Sequence, residues 1–187
     1  DSIDGLSLNP ERAKSVRKAW KYLTPAQQTM LRDTLPRFDL KTPTIRNILD
    51  NPESVCIHSS HNEITENPYI LSEQYIGSNP DDQITFSQVD HGMLPSPELG
   101  ETFGVDPDDW RRLRALCVEQ LQRANQHTFL PAEQVLDGLN YKLSYLPEWK
   151  RAQFTLRHLE VEKVDLEGAL TYREDLEKLY LYRKTVF

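Results

Sequence analysis

The chain has 187 residues, 38% hydrophobic and 27% charged, which suits one globular domain or two small ones. Two cysteines, Cys56 and Cys117, exclude a disulfide framework and make a reducing cytoplasm the expected compartment. No window approaches about 18 continuous apolar residues, and the N-terminus lacks a basic-then-apolar pattern, so neither a membrane span nor a secretory signal is expected.

The net charge of −7 is unevenly spread. Residues 1–50 carry nine Lys/Arg against six Asp/Glu (+3); residues 51–107 carry ten Asp/Glu and no Lys or Arg (−10); residues 108–187 carry thirteen of each. Affinity for nucleic acid comes mostly from cations meeting phosphates, so the middle third is expected to repel a duplex and to leave any DNA contact to the flanks. The chain starts at Asp1 and stops at Phe187 directly after KLYLYRKTV, and both ends read as cuts in a longer protein.

In chain order, Asn9-Pro10-Glu11 opens a helix: Asn9 caps it, Pro10 suits the first helical position and Glu11 the positive end of the dipole. Ala13, Val16, Trp20 and Leu23 then share one face, with Arg12, Lys14, Arg17, Lys18 and Lys21 over the rest. That pattern predicts a core-packing helix with a solvated basic face, nucleic-acid contact being the alternative. Further helices are predicted from Thr24-Pro25 to before Pro36 and from Thr42-Pro43 to Asn51-Pro52, which together make a small helical bundle.

Cys56, His58 and His61 could supply three zinc ligands, with Glu63 or His91 a fourth, but no paired CxxC or HxxxH completes a site, and a polar loop is the plainer reading. ENPYILSEQYIG, residues 66–77, reads as a short helix that glycine ends, with Tyr69, Leu71, Tyr75 and Ile76 packing. Gln83–Val89 reads as a strand or a helical turn. The Pro/Gly-rich stretch from Met93 to Gly104 places a domain boundary there, giving 1–104 and 105–187.

Asp106-Pro107-Asp108-Asp109 signals a strong helix start, and Trp110, Leu113, Cys117, Leu121 and Ala124 follow as an apolar stripe with Arg111, Arg112 and Arg114 mostly off it. Cys117, on that stripe, is expected to be buried and unreactive. After a break at His127–Pro131, Val135, Leu136, Leu139 and Leu143 form the buried face of a second helix. A third is predicted over 147–159, with Trp149, Ala152, Leu156 and Leu159 inward and Lys150, Phe154, Arg157 and His158 outward, Arg151 at the edge. Alternation then predicts strands over Leu159–Leu166 and Leu176–Tyr182, with turn chemistry at Glu167-Gly168 and Arg173–Asp175.

Helix, helix, turn, helix and hairpin is the order of a winged helix. The third helix is the usual reader in helix-turn-helix units, so Lys150, Arg151, Phe154, Arg157 and His158 are the candidate DNA-binding residues. The expected fold is therefore mainly α: a small N-terminal bundle followed by a winged-helix-like module with a short β-hairpin.

Residues 66–77, QHTFLPAEQVLDGLN over 126–140, and KLYLYR together resemble the region ahead of the motor in RecD-like superfamily 1 ATP-dependent DNA helicases, the exodeoxyribonuclease V alpha-type proteins. The resemblance rests on Asn67, Pro68, Tyr69, Leu71, Gly77, His127, Thr128, Leu130, Pro131, Tyr180 and Leu181. It implies helix-hairpin-helix elements around Asn67–Leu71, a helix opened by the His127–Pro131 segment, and a motor beyond residue 187 that uses ATP and magnesium. Two departures stand out. The turn after Gly77 is acidic and contains Pro80, which lacks an N–H, so phosphate gripping is not expected there. No GxxxxGK[ST] loop occurs, so this stretch has no ATP site of its own.

The sequence also lacks GxSxG, HExxH and a GxGxxG following a strand. The expected function is a non-catalytic accessory region that positions DNA, through the 147–159 helix, or partner proteins for downstream motor domains. The alternatives are a stand-alone winged-helix docking or regulatory module and a hydrolase built on Cys56, His58 and His61.

Overall fold

A computed structural model describes residues 9–79, 81–100, 102–124, 129–175 and 178–183. His127, Thr128 and the first two positions of the expected 176–182 strand lie outside the described residues. The fold is mainly helical, and no helix among the described residues is long and apolar enough to cross a membrane.

Helix α1, Pro10–Tyr22, starts as its residues dictate, with Asn9 Oδ1 accepting from the Glu11 N–H at 3.0 Å. It buries none of its residues. Val16, Trp20 and Tyr22 are all exposed, so the face expected to pack on the core stays outside it. The Gln28 side chain ties down its end by donating to the Trp20 and Leu23 carbonyls.

Helix α2, Pro25–Thr29, opens with a reciprocal Thr24–Gln27 capping box and widens into a π-helical turn over Met30–Thr34, then a 3₁₀ turn over Leu35–Arg37. Helix α3, Thr42–Asp50, buries Thr44, Ile48 and Leu49. Helix α4, His61–Glu66, occupies a stretch whose loop-like composition hid it, and Ser60 and Glu63 cap it reciprocally. Helix α5, Ile70–Gln74, is shorter than the ENPY segment suggests.

Gly77 does not end α5. A Cβ at Gly77 would lie 1.6 Å from the Asp82 carbonyl oxygen, so the glycine allows two backbone segments to touch. Helix α6, Phe86–Met93, is capped by Thr85 and settles the ambiguity of that stretch. It packs closely on residues 37 and 38: a Cβ at Gly92 would meet the Arg37 carbonyl oxygen at 2.5 Å and the Phe38 ring at 2.6 Å.

Helix α7, Trp110–Arg123, has its cap three residues after the expected one; Asp109, not Asp106, accepts the Arg111 N–H at 2.8 Å. Strand β1, Phe129–Pro131, leads into α8, Ala132–Ser144, which buries Val135, Leu136, Leu139 and Leu143 as its spacing predicts. Helices α9, Leu156–Val161, and α10, Lys163–Leu166, replace the strand expected over 159–166. Leu159 and Leu166 are buried whereas Val161 and Val164 are 68% and 78% exposed. The buried pair therefore sits at a helical interval, whereas Val161 and Val164, three residues apart, would fall on opposite faces of a strand.

Strands β2, Leu170–Asp175, and β3, Lys178–Arg183, form a hairpin, so Arg173–Asp175, expected in a turn, is strand. The sheet order is β1-β3-β2, antiparallel throughout, with Leu130 opposite Leu181 and Tyr172 opposite Leu181 on the other side. One cluster of buried side chains runs from Met30 to Tyr172 and takes residues from both sides of the 104/105 boundary.

Candidate nucleic-acid interface

The centre of the molecule is ionic. Asp90 lies on the buried stripe of α6 with Phe86, Val89 and Met93, and a carboxylate there demands partners. Arg112 supplies two hydrogen bonds, Nε to Oδ1 at 2.7 Å and Nη2 to Oδ2 at 3.2 Å, and Tyr69 donates its hydroxyl to Oδ1 at 2.8 Å. Lys150 Nζ donates to the Asp90 carbonyl oxygen at 3.1 Å and reaches Oδ2 at 3.5 Å. The remaining Arg112 contacts are the Pro107 and Lys150 carbonyls, at 2.7 and 2.8 Å. Burial holds the Lys150 ammonium below its ordinary pKa, against the pull of Asp90, and pushes the Tyr69 hydroxyl up.

A second internal pair stands beside it. Arg114 Nε donates to Glu73 Oε1 at 3.0 Å, and burial raises the Glu73 carboxyl despite that cation. Arg111 is held by Asp109 and by the Glu66 and Gly104 carbonyls. All three arginines expected off the apolar stripe thus tie α7 to the acidic middle of the chain, whose −10 is in part a set of internal counter-ions.

The structure divides the five candidate DNA-binding residues. The single helix expected over 147–159 does not form: a 3₁₀ turn covers Glu148–Lys150, residues 151–155 are in no helix or strand, and α9 starts at Leu156. Asn140 on α8 explains the interruption. Its Oδ1 accepts the Phe154 N–H and its Nδ2 donates to the Phe154 carbonyl, both at 2.8 Å. That amide satisfies the backbone groups a helix would have used, so a tertiary contact overrides a helical pattern.

Lys150 and Phe154, expected outward, are 8% and 1% exposed. His158 turns back on Thr155 as a capping partner and packs edge-on against Phe154, with ring centroids 5.6 Å apart. Arg151 and Arg157 remain exposed, Arg151 with its Nε on the Leu146 carbonyl. Two exposed cations make a sparse phosphate-binding face.

Two other surfaces are more developed. Helix α1 exposes Arg12, Lys14, Arg17, Lys18 and Lys21 together with Trp20 and Tyr22. Helix α8 exposes Glu133, Asp137, Tyr141 and Tyr145 at four-residue intervals, one outward stripe. The Tyr141 and Tyr145 rings meet edge to face at 5.0 Å with a hydroxyl–hydroxyl bond of 2.9 Å, and Trp149 is exposed as well.

The zinc or hydrolase constellation does not assemble. Cys56 sits exposed in a left-handed conformation (φ 61°), His61 Nε2 lies 3.1 Å from the Ile48 carbonyl oxygen, and no group of three His, Cys, Asp or Glu among the described residues is placed to hold a metal. Cys117 is buried, and that burial, with Glu73 nearby, pushes its thiol up and away from reactivity. Comparison with known protein families, curated proteins and solved structures finds no match to this chain.

Proposed function

We propose that this chain is a non-catalytic docking module whose 105–187 part is a winged-helix-like unit and whose principal surface binds protein. The order α7, β1, α8, α9, α10, β2, β3 with a β1-β3-β2 sheet supports the winged-helix-like reading. The α4–α6 region, which contains Asn67–Leu71, stands where the sequence resemblance expects degenerate helix-hairpin-helix elements. The observation that carries the protein-docking reading is the α8 stripe. Acids at Glu133 and Asp137 repel phosphates, whereas exposed paired tyrosines are the side chains that enrich protein interfaces.

The resemblance to the pre-motor region of RecD-like helicases supplies the proposed partner, motor domains encoded after residue 187 that bind ATP and magnesium, in a cytoplasmic DNA-processing enzyme. The test is a calorimetric titration of this chain against that downstream segment. Tyr141→Ala with Tyr145→Ala is expected to weaken the complex about tenfold or more. Absence of binding by the unmodified chain, or indifference to the double substitution, contradicts the reading.

A second reading has its own observation: the exposed cations and aromatics of α1 suit contact with nucleic acid. In fluorescence anisotropy with a labelled strand, Lys14→Glu with Lys18→Glu then abolishes binding, whereas Arg151→Glu with Arg157→Glu has a small effect.

A further inference from the structure

Asn67 is 5% exposed, and neither its side-chain nitrogen nor its side-chain oxygen has a hydrogen-bond partner. A buried polar atom left without a partner is destabilising, so an amide with both ends unsatisfied calls for a reason. Asn67 lines a cleft of about 390 Å³ between the α4–α5 corner and the start of α7. Glu63, Glu66, Ile70 and Trp110 line it with Asn67, and the Arg114 guanidinium lies 5.4 Å from the Trp110 ring centre. The volume lies in the range of small-ligand sites.

We infer that this cleft binds a short peptide segment carrying a lysine or arginine, with the Asn67 amide paired to the peptide's main chain. The molecule contains the same pairing already made. Asn140 uses its Oδ1 and Nδ2 to hold the N–H and C=O of Phe154, one residue of non-helical backbone, at 2.8 Å each. Asn67 offers the identical donor and acceptor with nothing on them.

The rim selects the side chain. Glu63 and Glu66 are exposed carboxylates. The Ser60 N–H and hydroxyl hold the Glu63 carboxyl below its ordinary pKa and keep it charged. Arg111 and Arg114 carry the opposing charge but are committed to Asp109, Glu73 and backbone carbonyls. The uncommitted charge at the cleft is therefore negative, which favours a cationic side chain along the Ile70 and Trp110 wall and disfavours the phosphates of a nucleic acid. The cleft shares no residue with the α8 stripe or with α1, so this inference and the proposed function fail separately.

The test is a two-dimensional ¹⁵N NMR titration of the chain with blocked tetrapeptides, alanine-based and carrying a single lysine or arginine. The expected result is a saturable shift of the Asn67 side-chain NH₂ and the Trp110 indole N–H, absent when glutamate replaces the basic residue. Glu63→Gln with Glu66→Gln, a surface change that leaves the fold intact, is expected to weaken binding about tenfold, the loss of an ion pair and its hydrogen bonds. Asn67→Leu is expected to abolish binding while raising the melting temperature, because it removes two unpaired buried groups. No saturable shift with any basic peptide overturns the inference. So does equal binding by the glutamine double variant, or a shift produced by an oligo-dA strand and not by the peptides, which gives the cleft to a nucleobase.

Discussion

Asp90→Ala is expected to destabilise the chain by about 3–5 kcal/mol, a large share of the roughly 5–15 kcal/mol that holds a typical domain folded. The side chain lost is small, but it leaves Arg112 fully buried and Lys150 nearly so with no anion, and Tyr69 with an unpartnered hydroxyl. An uncompensated cation in the interior costs far more than the pair contributes when intact. Lys150→Met separates the two effects. Methionine keeps the aliphatic stem and removes a charge that burial disfavours, while Asp90 keeps Arg112 and Tyr69, so stability should change little. Urea unfolding followed by circular dichroism measures both variants. A mild Asp90→Ala and a severe Lys150→Met would reverse the assignment of roles.

Phe154→Ala is the second large effect, expected at about 3–5 kcal/mol from the lost burial and the cavity left behind. On the sequence pattern Phe154 is an exposed aromatic beside cations and its loss should lower DNA affinity alone. In the structure it is 1% exposed, packed on His158 and fixed through its backbone by Asn140. Its neighbour Arg157 is exposed, and Arg157→Ala should stay within about 0.5 kcal/mol. Thermal melts of the two variants decide between a residue that holds the fold and one that serves a surface.

Where the physics is local, the sequence was readable. The caps at Asn9 and Thr24, the apolar face of α8 and the stripe of α7 follow from residue type and spacing. Helix α4 also has a local signal, since Ser60 and Glu63 form a capping box three residues apart, within a stretch whose Cys56, His58 and His61 resemble a ligand set. What escaped depends on partners distant in the chain. Arg112 and Arg114 look like solvent-facing cations until Asp90 and Glu73, 22 and 41 residues away, are placed against them. A carboxylate on the apolar stripe of α6 was the available signal, because an acid there needs a cation. The interruption of the 147–159 run had no local signal. It arises from Asn140, 14 residues before Phe154. At the site, Arg157 is exposed as its spacing predicts and Arg151, expected at the edge, is exposed as well, whereas Tyr141 and Tyr145 lie outside the expected reading helix and carry no local signal of a surface role.

Residues 147–159 do not form the single helix expected of a DNA reader, and Lys150 and Phe154 brace the interior instead. Backbone NMR of residues 147–159 tests it most directly. The structure predicts that sequential amide–amide contacts break between Arg151 and Thr155, and that the Phe154 amide exchanges slowly with solvent while bonded to Asn140. Unbroken helical connectivities from Glu148 to Leu159, with a rapidly exchanging Phe154 amide, would contradict the account.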